Sequence, residues 1–146
     1  MPSESGDSRV GLDLDALRAA LRGPEGVALA EELLDAVRAR YGDVPLVHRV
    51  LGQNPASYAP WALKNQAIIR DSRLGPKVAE LVAVAAATAL HCEHCLRTHS
   101  EQALHAGADL DDVLAAMLIA AAIAESAAQS YALREYQRLK RMNDER

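Results

Sequence analysis

The stretch from Lys77 to Ala106 contains neither glycine nor proline, and it constrains the possible folds more than any other part of the sequence. The alanines and leucines towards its two ends are strong helix formers. Its middle, His91-Cys92-Glu93-His94-Cys95, consists of mediocre to poor helix formers apart from the glutamate. We therefore predict a break near Ala89 to Glu93, where one helix ends and a second begins that runs to about His105.

The composition predicts an all-α protein. Half of the 146 residues are apolar, with alanine and leucine dominant, and the aromatic residues are one Trp, four Tyr and no Phe. Small and straight-chain side chains favour helices, whereas the aromatic side chains that favour strands are scarce. The length suffices for a single buried core. Because alanine-rich faces bury little area each, we expect them to need close neighbours, including a partner subunit.

Glycine and proline positions divide the rest of the chain into further predicted helices. We expect one domain over residues 1–146, with a flexible tail at 1–10, covering helices within 11–52 and a motif-bearing core over 55–128. The additional helices are predicted at 12–21, 27–41, 44–52 and 55–69, and another opens at Pro76. A last long apolar helix begins at Asp109 or at Asp111-Asp112 and reaches about Ala128, and a charged segment, 129–141, packs on the outside.

Charge and hydropathy argue against several classes of partner. The net charge is −4 with both signs mixed, and no basic stripe indicates nucleic-acid binding. The longest strictly apolar run, Val113 to Ala124, is shorter than the roughly 20 residues that span a bilayer. We interpret that run as a buried helix or a subunit contact rather than a ligand groove. The polar N-terminus lacks the pattern of a signal peptide, so we expect a cytoplasmic protein without a membrane partner.

The pair Cys92 and Cys95 has the spacing of a redox centre. In a reducing compartment, two cysteines three positions apart are expected to be redox-active or metal-bound rather than a structural staple. A thiol attacks as its thiolate, and the first turn of a helix stabilises that anion through free N–H groups and the helix dipole. One helical turn also meets the Cα separation of roughly 4.4–6.8 Å that a disulfide requires. His99 lies one turn beyond Cys95 on the same face, where it can take or return the thiol proton.

Glu80 interrupts an otherwise apolar run, and a carboxylate there must be exposed, paired or neutralised. On one unbroken helix, Glu80 and Cys92 would lie about 18 Å apart. With a bend before Cys92, the second helix folds back beside the first and the carboxylate can orient His99. The catalytic interpretation therefore requires the same break that the helix propensities predict.

The spacing Glu80-x11-Cys92-x-His94-Cys95-x3-His99 resembles the signature of the AhpD-like alkylhydroperoxidases of the carboxymuconolactone decarboxylase superfamily. The resemblance covers about half of the chain, roughly Pro55 to Ala128. It includes Leu-Gly-Pro-Lys-Val-Ala-Glu-Leu before the motif and Ala-Leu-His-Ala-Gly-Ala after it. The first fifty residues resemble nothing that we can place, and residues 1–52 have no assigned role. The decarboxylase branch of the superfamily lacks the cysteine pair, so we do not expect this chain to belong to that branch.

The resemblance implies a thiol peroxidase in an AhpD-like helical bundle, with a helix-break-helix carrying the Cys-x-x-Cys motif. It implies that Cys95 attacks the hydroperoxide, that His99 and Glu80 relay its proton and that His94 supports them. Cys92 would then resolve the sulfenic acid into a disulfide, which a dithiol such as a lipoylated protein reduces. The resemblance also implies a homo-oligomer, a trimer or a hexamer, and no cofactor is expected. From the residues alone the order of the two cysteines stays open.

Other interpretations of the motif remain. A zinc site could use the two cysteines with His91, His94 or His99, although ligands drawn from nine neighbouring residues form a poor tetrahedron. The cysteines could also be inert core residues in a non-catalytic helical oligomer. Within redox chemistry, the physiological substrate could be a protein disulfide rather than a peroxide.

Several residues outside the motif receive structural interpretations. We treat three histidines, His48, His91 and His105, as structural or solvated. Tyr58 and Trp61 could line a peroxide entry pocket, but in a chain with so few aromatic residues we expect them to anchor the core.

Overall fold

The computed structural model describes Gly11 and residues 13–146, and all regular structure in that part of the chain is helical. This confirms the predicted all-α class. The tail predicted at residues 1–10 lies outside the described residues. Within these described residues, seven helices follow one another: α1 (Leu14–Arg22), α2 (Pro24–Tyr41), α3 (Leu46–Leu51), α4 (Pro55–Ile69), α5 (Gly75–Ala89), α6 (Glu93–His105) and α7 (Leu110–Asp144).

The chain forms two compact units, one up to Asn65 and one from Gln66 onwards, with the boundary inside α4. The single domain expected over the whole chain stays a prediction. In the first unit the helices form close to where glycine and proline predicted them. Pro24 occupies the first turn of α2, which therefore starts three residues earlier than predicted, and Gly42 ends that helix in the left-handed conformation with φ 77°.

The core of the first unit is built around Tyr58. Its side chain is fully buried in a cluster with Ala30, Leu33, Ala59 and Ala62, and Trp61 packs against that cluster. The Tyr58 hydroxyl and His48 Nδ1 share a hydrogen bond of 3.0 Å. The ring of His48 also contacts Trp61 edge-on. The prediction that Tyr58 and Trp61 anchor the core is confirmed.

In the second unit, α5 packs against both α6 and α7. Val84, Ala103 and Val113, one from each helix, form the buried centre, with Leu81, Leu96 and Met117 packed around them. An ion pair of 2.5 Å between Lys77 Nζ and Asp112 Oδ2 joins the first turns of α5 and α7. These two helices therefore start side by side, and α6 lies against both.

The predicted break between α5 and α6 is confirmed, and its backbone has the pattern of a Schellman motif. His91 follows the C-cap of α5 in the left-handed conformation, with φ 55°. The N–H of His91 donates to the carbonyl of Thr88, and the N–H of Cys92 donates to the carbonyl of Ala87. The chain turns within three residues, and α6 begins at Glu93.

The end of the last helix differs from the prediction. We predicted that the apolar helix reaches about Ala128, but α7 continues without interruption to Asp144. No glycine or proline occurs after Ala128 to stop it. Pairs one turn apart also support its second half, including Arg138 with Glu135 and Gln129 with Glu125.

The apolar part of α7 is more exposed than predicted. Within Val113–Ala124, only Val113 and Ala120 are buried, so the interpretation of this run as a buried helix is wrong for the chain by itself. α7 is also long and apolar enough to cross a membrane, since an 18-residue window within it has a mean hydropathy of 1.6. The length of the strictly apolar run Val113–Ala124 had predicted that no segment here is long enough. One such helix is weak evidence for a membrane span, because core helices of soluble proteins meet the same criterion. The cytoplasmic location stays a prediction.

Candidate active site

The turn at His91 makes α5 and α6 a helical hairpin, which brings Glu80 beside His99. His99 Nδ1 lies 2.8 Å from Glu80 Oε2, although 19 residues separate them in sequence. Glu80 points from the middle of α5 towards α6, and His99 occupies the second turn of α6. The contact predicted from the bend is therefore present.

This pair is largely shielded from solvent. The Glu80 side chain is 4% exposed and that of His99 is 20% exposed. A buried carboxylate is costly unless it is paired and hydrogen-bonded, and the imidazole supplies such a partner. When the carboxylate accepts a hydrogen bond from Nδ1–H, that nitrogen is fixed as the protonated one. The other ring nitrogen, Nε2, is then the one that can accept a proton.

Cys92 and Cys95 are bonded as a disulfide, with their Cα atoms 5.3 Å apart, and both residues are partly buried. Cys92 is the N-cap of α6, and its Sγ accepts a hydrogen bond of 3.3 Å from the backbone N–H of Cys95. Cys92 Sγ thus lies at the N-terminus of α6, where an amide N–H and the helix dipole provide an environment that stabilises a thiolate. His99 follows Cys95 by four residues on the same helix face.

His94, which the resemblance implied as a supporting residue, is exposed in the first turn of α6 and takes no part in the Glu80–His99 hydrogen bond. Its role stays a prediction. Within Gly11 and residues 13–146, no three His, Cys, Asp or Glu side chains are grouped so that they could hold a metal ion.

A cavity of about 470 Å³ lies beside Cys92, and sequence reasoning missed it. Its lining is mostly apolar and comes from the end of α5, the turn, the start of α6 and the middle of α7. The lining residues are Ala87, Thr88, His91, Cys92, Glu93, Leu96, Ala121 and Ala124. Two of these residues, Ala121 and Ala124, belong to the run Val113–Ala124, which we interpreted as a buried helix or a subunit contact rather than a ligand groove. With respect to ligand binding, that interpretation stays a prediction. Alanine carries no functional group. The only sequence signal was that these two residues lie about one helical turn apart and can therefore line the same cavity.

Comparison with known proteins adds one match. The model described as "Carboxymuconolactone decarboxylase family" matches residues 55–137, which is more than half of the chain and includes Glu80, both cysteines, His94 and His99. No curated protein and no solved structure matches the chain.

Proposed function

Since the chain belongs to the carboxymuconolactone decarboxylase family, we propose that it is a thiol-dependent peroxidase, an oxidoreductase that reduces an alkyl hydroperoxide with the dithiol of Cys92 and Cys95. The observation that supports this most strongly is the buried hydrogen bond between Glu80 and His99, one helical turn from Cys95. A disulfide alone can be structural. An imidazole that is oriented by Glu80 and follows Cys95 by one helical turn supports a route for the proton that a thiol must lose.

In the proposed first step, His99 Nε2 takes the proton of the Cys95 thiol, and Glu80 stabilises the imidazolium. The thiolate attacks the terminal oxygen of the hydroperoxide. The S–O bond forms as the O–O bond breaks, and the alkoxide leaves as an alcohol with the proton that His99 returns. Cys95 is then a sulfenic acid, so the sulfur has been oxidised by two electrons.

In the second step, the Cys92 sulfur attacks the Cys95 sulfur. The S–S bond forms, the S–O bond breaks and the hydroxyl group leaves as water with the Cys92 thiol proton. One hydroperoxide and two thiols thus give one alcohol, one water and the disulfide. A dithiol returns two electrons and two protons by thiol–disulfide exchange, and by family resemblance we propose a lipoylated protein as its source.

The test is a titration of the reduced protein with a small alkyl hydroperoxide, following thiols, peroxide and protein mass. We expect one hydroperoxide to consume two thiols and to yield the intramolecular disulfide. Cys95→Ser should abolish peroxide consumption, whereas Cys92→Ser should still react once and accumulate a sulfenic acid that dimedone traps.

Two outcomes would change the assignment. If Cys92→Ser alone loses the first step, the roles of the cysteines are reversed. If the reduced wild-type protein loses no thiols to hydroperoxide but exchanges rapidly with protein disulfides, the chain is a disulfide reductase instead.

A further inference from the structure

The cavity of about 470 Å³ meets the disulfide at one of its two cysteines. Cys92 belongs to the lining, whereas Cys95 and His99 do not. In the proposed cycle, hydroperoxide reacts at Cys95, so the cavity lies beside the cysteine that this step does not attack with. The cavity therefore fits a different step of the cycle.

The walls of this cavity favour an uncharged, aliphatic ligand. Four lining residues are apolar: Ala87, Leu96, Ala121 and Ala124. The hydroxyl of Thr88, a fifth lining residue, already donates to the carbonyl of Val84 at 2.9 Å. Glu93 adds a carboxylate, and no lysine or arginine occurs among the described residues that line the cavity. A ligand that carries carboxylates would meet a like charge there and no basic partner.

Reduction of the disulfide requires a choice between its two sulfurs. An incoming thiolate attacks one sulfur and expels the other, and the choice depends on the leaving thiol and on access. Both sulfurs have support as leaving thiolates, because Cys92 caps the N-terminus of α6 and His99 follows Cys95 by one helical turn. Access therefore decides, and the cavity gives access to Cys92.

We propose that the cavity holds the aliphatic chain of the reducing dithiol, and that this dithiol attacks Cys92 Sγ. The inference rests on the proposed function, of which it is the return step. One thiolate of the reductant forms an S–S bond with Cys92 as the Cys92–Cys95 bond breaks, and Cys95 leaves as a thiolate. The second thiolate of the reductant then attacks the reductant's own sulfur in this mixed disulfide and expels Cys92.

The exchange balances without any further reactant. The reductant leaves as a cyclic disulfide, oxidised by two electrons, and its two protons pass through water to Cys92 and Cys95. Attack at Cys92 also frees Cys95 first, one helical turn from His99, while the reductant is still bonded to Cys92. Attack at Cys95 would instead block the sulfur that reacts with hydroperoxide.

The site of attack can be mapped directly on the oxidised full-length protein. The probe is mercaptohexanol, an uncharged aliphatic monothiol that cannot complete the second exchange, followed by a rapid quench with N-ethylmaleimide. Cleavage after Glu93 separates the two cysteines for mass spectrometry. We expect the mixed disulfide on Cys92 and the maleimide on Cys95. A mixed disulfide on Cys95, alone or in equal amount, would overturn the proposal.

The role of the cavity is tested by filling it from α7. Ala121→Leu places a larger side chain at an exposed lining position, and Ala122→Leu, exposed and outside the lining, is the matched control. With dihydrolipoamide, a dithiol on an aliphatic chain, Ala121→Leu should lower the rate constant of reduction by about 10-fold, the factor for excluding roughly two methylene groups from an apolar site. With dithiothreitol, which has no such chain, the rate constant should change little.

The ratio of the two rate constants separates binding of the chain from a general disturbance of the site. Ala122→Leu should keep the wild-type ratio. An equal loss with both dithiols in Ala121→Leu, or the wild-type ratio in that variant, would overturn the assignment of the cavity to the reductant.

The alkyl chain of the hydroperoxide is the competing occupant of the cavity. In that case Ala121→Leu would slow the oxidation of the reduced protein by a straight-chain alkyl hydroperoxide and leave reduction by dihydrolipoamide unchanged. We expect the reverse, and slower oxidation with unchanged reduction would overturn the proposal.

Failure of this inference is distinguishable from failure of the proposed function. The mapping and reduction experiments start from the disulfide and contain no hydroperoxide, so their results do not depend on peroxidase activity. A protein that consumes no hydroperoxide but is reduced at Cys92 would refute the proposed function and keep the site of reduction. A peroxidase that is reduced at Cys95 would do the opposite.

Discussion

Glu80 Oε2 accepts a hydrogen bond across the α5–α6 hairpin from His99 Nδ1 at 2.8 Å, when that nitrogen carries the proton. Glu80→Gln keeps the shape of the side chain but removes the charge that stabilises the imidazolium. We expect the rate constant for thiol oxidation by hydroperoxide to fall by about 100-fold, because proton transfer by a positioned side chain contributes factors of this order. The measurement is stopped-flow oxidation of the reduced protein.

The matched control for that experiment is Glu101→Gln, at an exposed position farther along α6. It should react at the wild-type rate. Equal rates for Glu80→Gln and Glu101→Gln would show that the buried pair only holds the two helices together.

The left-handed conformation of His91 predicts a stability effect at the turn. Histidine adopts this region more readily than most residues, whereas a β-branched residue is strongly disfavoured there. His91→Val should therefore lower the free energy of unfolding by about 1–2 kcal/mol, measured by urea denaturation. The adjacent Leu90, exposed and in the right-handed region, provides the control Leu90→Val. A cost at His91 no larger than at Leu90 would contradict the assigned backbone conformation.

The ion pair between α5 and α7 predicts a pH dependence of stability. The hydrogen bond from Lys77 lowers the pKa of Asp112, and the backbone N–H of Asp109 lowers it further. A carboxyl whose pKa is lower in the folded state stabilises the fold above its ordinary pKa, and that stabilisation is lost as the pH falls through the folded-state value. Asp112→Asn should therefore lose less stability than the wild type between pH 5 and about 2. Thermal unfolding across this range is the measurement, with Asp111→Asn, at the exposed neighbour, retaining the wild-type slope.

The hydrogen bond between Tyr58 and His48 predicts a cost for removing one hydroxyl group. Burial raises the pKa of Tyr58, so the hydroxyl stays protonated at neutral pH. Tyr58→Phe leaves His48 Nδ1 without this partner in a partly buried position and should destabilise the first unit by about 1 kcal/mol. Tyr131→Phe, at a side chain that is 79% exposed, should change the stability little. Equal effects of the two substitutions on chemical denaturation would argue against a contribution from this hydrogen bond.

Local patterns were sufficient to predict the part of the fold that builds the candidate site. The weak helix formers at His91 to Cys95 predicted the break. The apolar surroundings of Glu80 predicted that its carboxylate is exposed, paired or neutralised, and the bend indicated His99 as the partner it could orient. Both inferences rest on free-energy terms that act within a few residues: helix propensity, and the cost of burying a charge. The catalytic roles assigned to these residues stay predictions.

The features that the sequence did not reveal depend on where helices lie in space. The cavity beside Cys92 arises because Ala121 and Ala124 on α7 lie near the end of α5, and alanine gives no sign of such a position. The length of α7 was underestimated because its apolar residues thin out after Ala128, although charged and polar residues there continue a helix equally well. The Schellman pattern at His91 was likewise hidden, since glycine more commonly occupies that position.

The sulfur that caps α6 has a consequence for spectroscopy. The N–H of Cys95 donates to Cys92 Sγ, and reduction breaks the S–S bond of this acceptor sulfur and changes its electron density. The proton resonance of this single amide therefore moves when the pair is reduced, and it reports the oxidation state of the centre without any added label.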